Sequence, residues 1–296
     1  MKEPGIDIVI MDLKSRILVT GGAGFIGTNL VSKLKKLGYT ITVLDNFSTG
    51  NRDNEITGVT YVESSDLILK NKDSVGFDYI FHLAALSRIQ PSFSKPYKTF
   101  LNNVQLTAEI CEYVKDKGGK LIYAGSSSKH HDPYQSPYAA TKYLGEEVCK
   151  MYKTVYNLDV EIARFYNVYG PKEILEGKDA AVVGIFRNLI YNNKPLTIVG
   201  DGEQRRDFTH VDDIVQGLLK IASSPLTHKD AWELGTGVNY SINELADMFI
   251  KKYNCSKEYI PEQKGNYRET LQLNTDAQDN LDYNPKDRLQ EYIDSL

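Results

Sequence analysis

Tyr138 and Lys142 stand four residues apart in Tyr138-Ala-Ala-Thr-Lys142. Residues at that spacing share one face of a helix, so a phenol and an ammonium can act on the same small molecule. A free tyrosine ionises near pH ~10, and lowering that by ~3 units takes roughly 4 kcal/mol of differential interaction. Nearby positive charge favours the phenolate and brings the group towards a usable general base. Ser136 and Pro137, just before the motif, suit the N-cap and the first turn of a helix. Upstream, an apolar run ends in Gly125-Ser126-Ser127-Ser128. A hydroxyl at the C-terminal end of a strand faces the crevice where open parallel sheets bind ligands. Ser128, Tyr138 and Lys142 therefore form a candidate catalytic set.

A second motif supplies a place for phosphates. Thr20-Gly-Gly-Ala-Gly-Phe-Ile-Gly27 satisfies GxGxxG at Gly22, Gly24 and Gly27, and GxxGxxG at Gly21, Gly24 and Gly27. Glycines allow the tight turn and let the backbone approach a pyrophosphate, which then meets the free N–H groups of a helix start. The context is right, because an apolar run at 16–20 precedes the turn and Ile26, Leu30, Leu34 and Leu37 follow at helical spacing. Asp45 ends the next strand, 18 residues after Gly27. A carboxylate there accepts the adenosine ribose hydroxyls and repels a 2′-phosphate, so the expected cofactor is NAD.

The elements that must position these groups alternate. Strands are expected at 16–20, 40–44, 59–62, 79–83, 120–124 and 160–163, with helices at 97–117 and 138–156. That order predicts an α/β fold, a Rossmann-type doubly wound parallel sheet covered on both faces. Beyond Gly170-Pro171 the pattern loosens to a helix at 180–191, a strand at 197–199 and a helix at 211–222. A capping box then stands at Ser241 to Glu244. The expected organisation is an N-terminal extension at 1–14, frayed and with Met11 as a possible second start, and an NAD-binding domain at 15–170. A smaller α/β substrate domain at 171–296 is expected to return some segments to the main sheet. With 35 basic and 39 acidic residues the net charge is −4, which argues against a nucleic-acid surface. No run of 18 apolar residues predicts a membrane span, the start lacks the pattern of a secretory signal, and three scattered cysteines fit a reducing cytoplasm.

Together with His82-Leu-Ala-Ala85, Asn102-Asn103-Val104, Arg164-Phe-Tyr-Asn-Val-Tyr-Gly-Pro171 and the run 200–213, these motifs carry a family resemblance. Over about 15–296 the chain resembles the extended short-chain dehydrogenase/reductases, in their nucleotide-sugar epimerase and dehydratase branch. The resemblance implies a tightly held NAD restored within each turnover, and C4 epimerisation of a UDP-hexose or UDP-N-acetylhexosamine. It implies that the cofactor meets Gly21, Gly24, Phe25, Ile26, Gly27, Asp45 and Asn46, with Asp66 and Leu67 at the adenine. Leu83, Ala84, Ala85 and Phe165 would line its path, and Asn103 would hold the loops beneath. Tyr138 would accept the proton, Lys142 would tune it and bind the nicotinamide ribose, and Ser128 would hold the sugar hydroxyl. For the substrate it implies Ser87, Ser128, Asn167, Val183, Val199, Arg206 and Arg268, with Asn167 and Arg206 at the diphosphate and Val199 near the base. A homodimer is also implied, through 97–117 and 138–156, with Leu101, Leu106, Ile110, Tyr143, Tyr152 and Tyr156 as apolar surface.

The chain departs from the pattern in three places. Lys129 and His130 occupy the positions where dehydratases of this branch carry an Asp-Glu pair, which argues for epimerase. Only nine residues separate Ser128 from Tyr138, so a more open substrate mouth is expected. Gln263-Lys-Gly-Asn266 replaces an R-x-G-D segment, leaving Arg268 to meet the diphosphate. The residue that gates the sugar C2 substituent falls at Thr270 or Leu271; neither is a large aromatic, so an N-acetyl group is expected to fit. The alternatives are another 4-keto chemistry, such as dehydration, decarboxylation or reduction, and a silent NAD-binding regulatory protein, which the intact Ser-Tyr-Lys set argues against. No metal is expected: His130-His131 lack ligand partners at suitable spacing, His82 reads as structural, and Asp212-Asp213 as a helix start.

Overall fold

The computed structural model describes residues 11–71 and 75–296. In chain order the first half forms β1 (Arg16–Thr20), α1 (Phe25–Lys36), β2 (Thr40–Leu44), β3 (Thr60–Val62), α2 (Asp66–Leu69), β4 (Tyr79–His82), α3 (Ile89–Ser94), α4 (Pro96–Phe100), α5 (Leu106–Lys117), β5 (Lys120–Ser126), α6 (Pro137–Tyr156) and β6 (Val160–Phe165). The second half adds β7 (Asn167–Tyr169), α7 (Val182–Tyr191), β8 (Leu196–Val199), β9 (Arg205–His210), α8 (Val211–Ser223), β10 (Trp232–Leu234), β11 (Asn239–Ser241), α9 (Ile242–Tyr253), β12 (Lys257–Ile260), α10 (Asp276–Leu281) and α11 (Leu289–Ser295).

Seven strands make one Rossmann-type sheet in the order β10-β6-β5-β4-β1-β2-β3, every pair parallel. Alternating side chains explain why it is covered twice. Ile17 and Val19 of β1 face α1 and α8, in a core with Leu30, Leu34, Ile214 and Leu218. Leu18 faces the other way, in a core with Ile110 of α5 and Cys149 of α6. The register sets Thr20 level with Leu44 and His82, and Ser126 level with Phe165, so the strand C-termini form one rim. β10 comes from far along the chain and pairs with β6. Buried Arg164 of β6 reinforces that join, bonding Glu146 of α6 at 2.8 Å, Asp230 at 2.7 Å and Glu233 of β10 at 3.1 Å.

The remaining strands build two small sheets, β11-β9-β7 and β12-β8, over a third core that includes Phe186, Ile198, Leu245 and Phe249. The capping box is present: Ser241 Oγ accepts the Glu244 N–H at 3.0 Å, and the Glu244 carboxylate accepts the Ser241 N–H at 2.7 Å. The helix expected at 97–117 is divided by a π-helical turn at Leu101–Gln105. That turn buries Asn103. Residues 1–10 of the expected extension lie outside the described residues. Residues 11–14 are not frayed as expected, because Met11 is buried in the core and its carbonyl accepts the Tyr39 hydroxyl at 2.8 Å.

Candidate active site

A cleft of about 1050 Å³ runs along the rim, lined by residues of both halves. At one end it begins at the glycine turn. Gly21 has φ +72°, and a Cβ there would stand 2.8 Å from the Ala84 nitrogen; a Cβ on Gly27 would stand 2.1 Å from the Gly21 carbonyl oxygen. These two positions are closed to side chains by the protein's own backbone. At Gly24 an added Cβ would meet only the Gly21 oxygen, at 3.3 Å. Gly24 caps α1 without a side-chain hydrogen bond, so the first-turn N–H groups of Phe25, Ile26 and Gly27 face the cleft. The Asp45 carboxylate stands beside them, buried and fixed by the Ala23 N–H at 2.9 Å and the Phe47 N–H at 2.8 Å. Asn46, Asp66, Leu83, Ala84, Ala85 and Phe165 continue the wall. This open glycine face, uncapped helix start and anchored carboxylate fit a dinucleotide. Leu67 departs from expectation: its side chain is 66% exposed, and the turn into α2 uses its N–H on the Ser64 carbonyl.

Behind the wall lies a chain of buried hydrogen bonds. Thr107 Oγ1 donates to the Asn103 carbonyl, so it accepts from His82 Nε2 at 3.0 Å. The other ring nitrogen, Nδ1, then accepts the Thr20 hydroxyl at 2.7 Å, and Thr20 Oγ1 accepts the Ala84 N–H at 3.2 Å. Burial and Lys142 push the His82 pKa down to about 3, so the ring is neutral and holds the loop. Asn103 does not line the cleft; its side chain bonds the N–H and carbonyl of Leu86 and the Thr141 hydroxyl, fixing the loop that does.

Tyr138 opens α6, capped by Ser136 Oγ on the Ala139 N–H at 3.1 Å. Its hydroxyl donates to Ser126 Oγ at 3.1 Å, not to Ser128. Ser126 also accepts the Ser128 N–H at 3.2 Å, and this turns the buried Ser128 Oγ, without a well-formed partner among the described residues, to the cleft. Lys142 lies one turn on, but its ammonium donates to Tyr123 Oη at 3.1 Å and to the Ala124 carbonyl. The expected lowering of the Tyr138 pKa is therefore not seen in this arrangement. Burial raises it, opposed by the Ser126 hydrogen bond and the charge of Arg88. Burial also lowers the Lys142 pKa to about 8.

The opposite wall is built by the second half of the chain. Along β9 successive side chains alternate sides. Arg205 pairs with Glu244 at 3.0 Å, Arg206 faces the cleft, and buried Asp207 turns back to accept the N–H groups of Thr236, Gly237 and Gln272. Arg206 is left with one hydrogen bond, to the Arg205 carbonyl, and burial lowers its pKa to about 10. Such a desolvated, unpaired guanidinium suits an anion. Asn167, Val183 and Val199 share this wall, Thr270 donates to Asn167 at 3.3 Å, and Ser87 lies at the mouth.

One expectation fails here. Arg268 is not in the cleft: the extended chain points Tyr267 inward and Arg268 outward, where it is 65% exposed and bonds both oxygens of Asp201 at 2.9 and 3.0 Å. The short loop before Tyr138 is covered by a segment of the second half of the chain. Tyr267 stacks on His131 at 4.1 Å and 11°, and the segment before it docks on α3 through Gln90 to the Lys264 carbonyl at 2.8 Å. Burial pushes the Tyr267 pKa up to about 12, and its hydroxyl has no well-formed partner. Tyr267, Ser126 and Arg88 line the site without having been expected there. Lys129 and His130 turn away, to Glu147 at 2.6 Å and Glu233 at 2.7 Å. Among the described residues no cluster of His, Cys, Asp and Glu could hold a metal ion, and no helix is long and apolar enough to cross a membrane.

Comparison with known proteins agrees with this arrangement. A UDP-glucose 4-epimerase of Mycolicibacterium smegmatis is 31% identical, over 94% of this chain and 96% of the relative. UDP-glucuronic acid decarboxylase 2 of Arabidopsis thaliana is 30% identical over 92% of this chain and 65% of its own length. Among solved structures, UDP-glucose 4-epimerase from Thermotoga maritima with UDP-glucose superposes with a TM-score of 0.87 at 29% identity, covering 94% of this chain and 96% of that one. The family model for NAD dependent epimerases and dehydratases matches residues 17–235, and the chain belongs to that family.

Proposed function

We propose that the chain is an NAD-dependent nucleotide-sugar 4-epimerase that works through a 4-keto sugar. The observation that carries this is the Tyr138 phenol, bonded to Ser126 beside the unpartnered Ser128 hydroxyl, in one cleft with the glycine turn and Arg206. Bound NAD would supply a two-electron acceptor for C4. Gly24, the start of α1 and Asp45 would hold the cofactor, with Lys142, which also lines the cleft, serving its ribose. Tyr138 takes the proton of the 4-hydroxyl and later gives it back, and Ser128 orients that hydroxyl. Arg206 and Asn167 hold the diphosphate while the sugar turns over. Epimerisation is favoured over dehydration because Lys129 and His130 are committed to Glu147 and Glu233, leaving no acid-base pair beside Ser128.

The test is incubation of the NAD-loaded protein with UDP-glucose, UDP-N-acetylglucosamine and UDP-glucuronic acid, followed by separation and mass measurement. An epimer keeps the mass of its substrate; loss of water or of carbon dioxide from every product would overturn the reading. Tyr138→Phe is expected to retain NAD and lose ~10²–10⁴ in rate. A homodimer is part of the same reading. Leu144, Met151 and Val155 form an exposed apolar stripe on α6, near exposed Tyr97 and Phe100 of α4, whereas Ile110 and Tyr152 are buried within the chain and offer no such surface. A monomer by light scattering at micromolar concentration would refute it.

A further inference from the structure

Among the described residues the cleft holds two guanidinium groups that no carboxylate neutralises. Of the nine arginines, six sit in ion pairs: Arg52, Arg164, Arg187, Arg205, Arg268 and Arg288. Arg88 and Arg206 do not, and both line the cleft. Arg88 stands on the loop between β4 and α3, directly before Ile89. Its Nε donates to the backbone carbonyl of Asp179 at 2.7 Å, which aims the side chain, and its Nη nitrogens have no partner among the described residues. The carboxylates whose charge it feels do not pair with it. Arg187 holds Oε1 of Glu173 at 2.7 Å, Oε2 of Glu173 is buried without a hydrogen bond among the described residues, and Asp179 contributes its carbonyl. Burial lowers the Arg88 pKa, as expected for a charge that lacks a counter-ion.

Arg88 stands at the start of α3, the helix whose Ser92 accepts the Tyr138 N–H at 3.1 Å, whereas Arg206 stands on β9 in the second half of the chain. The charge of Arg88 acts on the Tyr138 phenol, whereas that of Arg206 acts on Tyr267 and His131. Tyr138 marks C4 of the sugar in the reading above. On a hexopyranose, the carbon bonded to the neighbour of C4 that can carry a charge is C6, as a carboxylate on C5. A planar fork with free Nη groups matches a carboxylate by paired, charge-assisted bonds and gains little from a hydroxymethyl.

We propose that Arg88 is the receptor for a carboxylate on the sugar, and that the preferred substrates are nucleotide hexuronic acids rather than neutral nucleotide hexoses. The inference rests on the 4-keto reading for the position of C4. The experiment uses the NAD-loaded protein and two probes that differ only at C6, UDP-glucuronic acid and UDP-glucose. Binding is measured by calorimetry, and turnover by product separation and mass. Wild type is expected to favour UDP-glucuronic acid by about thirtyfold or more in kcat/KM and in affinity, the discrimination of roughly one charge-assisted bond. Arg88→Gln should erase that ratio while NAD occupancy and the melting curve of the loaded protein persist. Arg88→Lys, with charge but no fork, should fall between. Equal treatment of the two probes by wild type, or a ratio unmoved in Arg88→Gln, overturns the proposal. Loss of NAD from both folded variants also overturns it, because Arg88 would then serve the cofactor. Arg88-dependent preference in binding without turnover of any UDP-sugar would support the receptor and sink the 4-keto reading. Turnover of UDP-glucose without any preference does the reverse.

Discussion

Replacing Ser126 tests which hydroxyl of the serine run serves Tyr138. The phenol donates to Ser126 Oγ at 3.1 Å, and Ser126 can rotate its own proton toward the phenolate once Tyr138 ionises. A hydrogen bond to a neutral group contributes about 1 kcal/mol net, and one to a charged group about 1.5–3 kcal/mol. The difference, ~1 kcal/mol, favours the phenolate and corresponds to ~0.7 pH unit. Burial already holds the Tyr138 pKa above its ordinary value, and the Ser126 bond pulls it down. Ser126→Ala should therefore raise it further. The acidic limb of kcat/KM reports the base in the free, NAD-loaded enzyme, so it should move to higher pH by ~0.7 unit, with the rate on that limb falling about fivefold and the high-pH plateau kept. Ser128 Oγ makes no well-formed hydrogen bond among the described residues, with the Tyr267 hydroxyl beside it, and faces the cleft, so Ser128→Ala should leave the limb in place and lower the plateau. Initial rates across the pH range, by product separation, decide it. A limb that stays put in Ser126→Ala and shifts in Ser128→Ala would refute the assignment.

Gly24→Ala and Gly27→Ala should fail in different ways. The Gly24 methyl meets only one protein atom at 3.3 Å, so the protein should fold with its melting point nearly unchanged and lose stabilisation by NAD. The Gly27 methyl runs into the Gly21 carbonyl at 2.1 Å and should cost ~3 kcal/mol or more. Equal behaviour in thermal melts with and without NAD would contradict the assignment of the open face. Lys142→Met should abolish turnover yet stabilise the cofactor-free protein at neutral pH, by on the order of 1–3 kcal/mol. The folded pKa of Lys142, about 8, lies below that of an unfolded lysine, so the folded state binds its proton more weakly. The resulting penalty is full below about pH 8 and fades as pH rises towards ~10. The stability difference between variant and wild type, from denaturant titrations, should shrink over that window; a difference that grows there would refute the burial argument.

The parts of the fold legible in the sequence are those governed by local pattern. β1 and β2 fall at the expected residues because a buried parallel strand must read as a short apolar run between turn signals. The glycine turn and the Tyr138 to Lys142 spacing are legible for the same reason, since the groups that act together are neighbours in the chain. β9 was missed because Arg205, Arg206 and Asp207 do not read as a strand. Its central carboxylate is satisfied by backbone N–H groups of Thr236, Gly237 and Gln272, which no local window contains. β7, β10 and β11, at three residues each, leave too little pattern to detect.

The site itself divides along the same line, between a residue's type and the pairing of its charge. Arg206 and Arg268 look alike in the sequence, but Asp201 claims Arg268 on the surface while no carboxylate among the described residues claims Arg206. Lys142 shares a helix face with Tyr138, yet the Ala124 carbonyl in β5 and the Tyr123 hydroxyl hold its ammonium, and burial raises the pKa of the phenol where spacing alone predicts a fall. Arg88 carried no signal at all, because an arginine becomes a binding group through the absence of a partner. That absence depends on where Glu173 is held by Arg187, about a hundred residues further along the chain. Motif spacing decides which groups can meet. The distant segments that satisfy, or leave unsatisfied, each buried charge decide which of those groups remains free for a substrate.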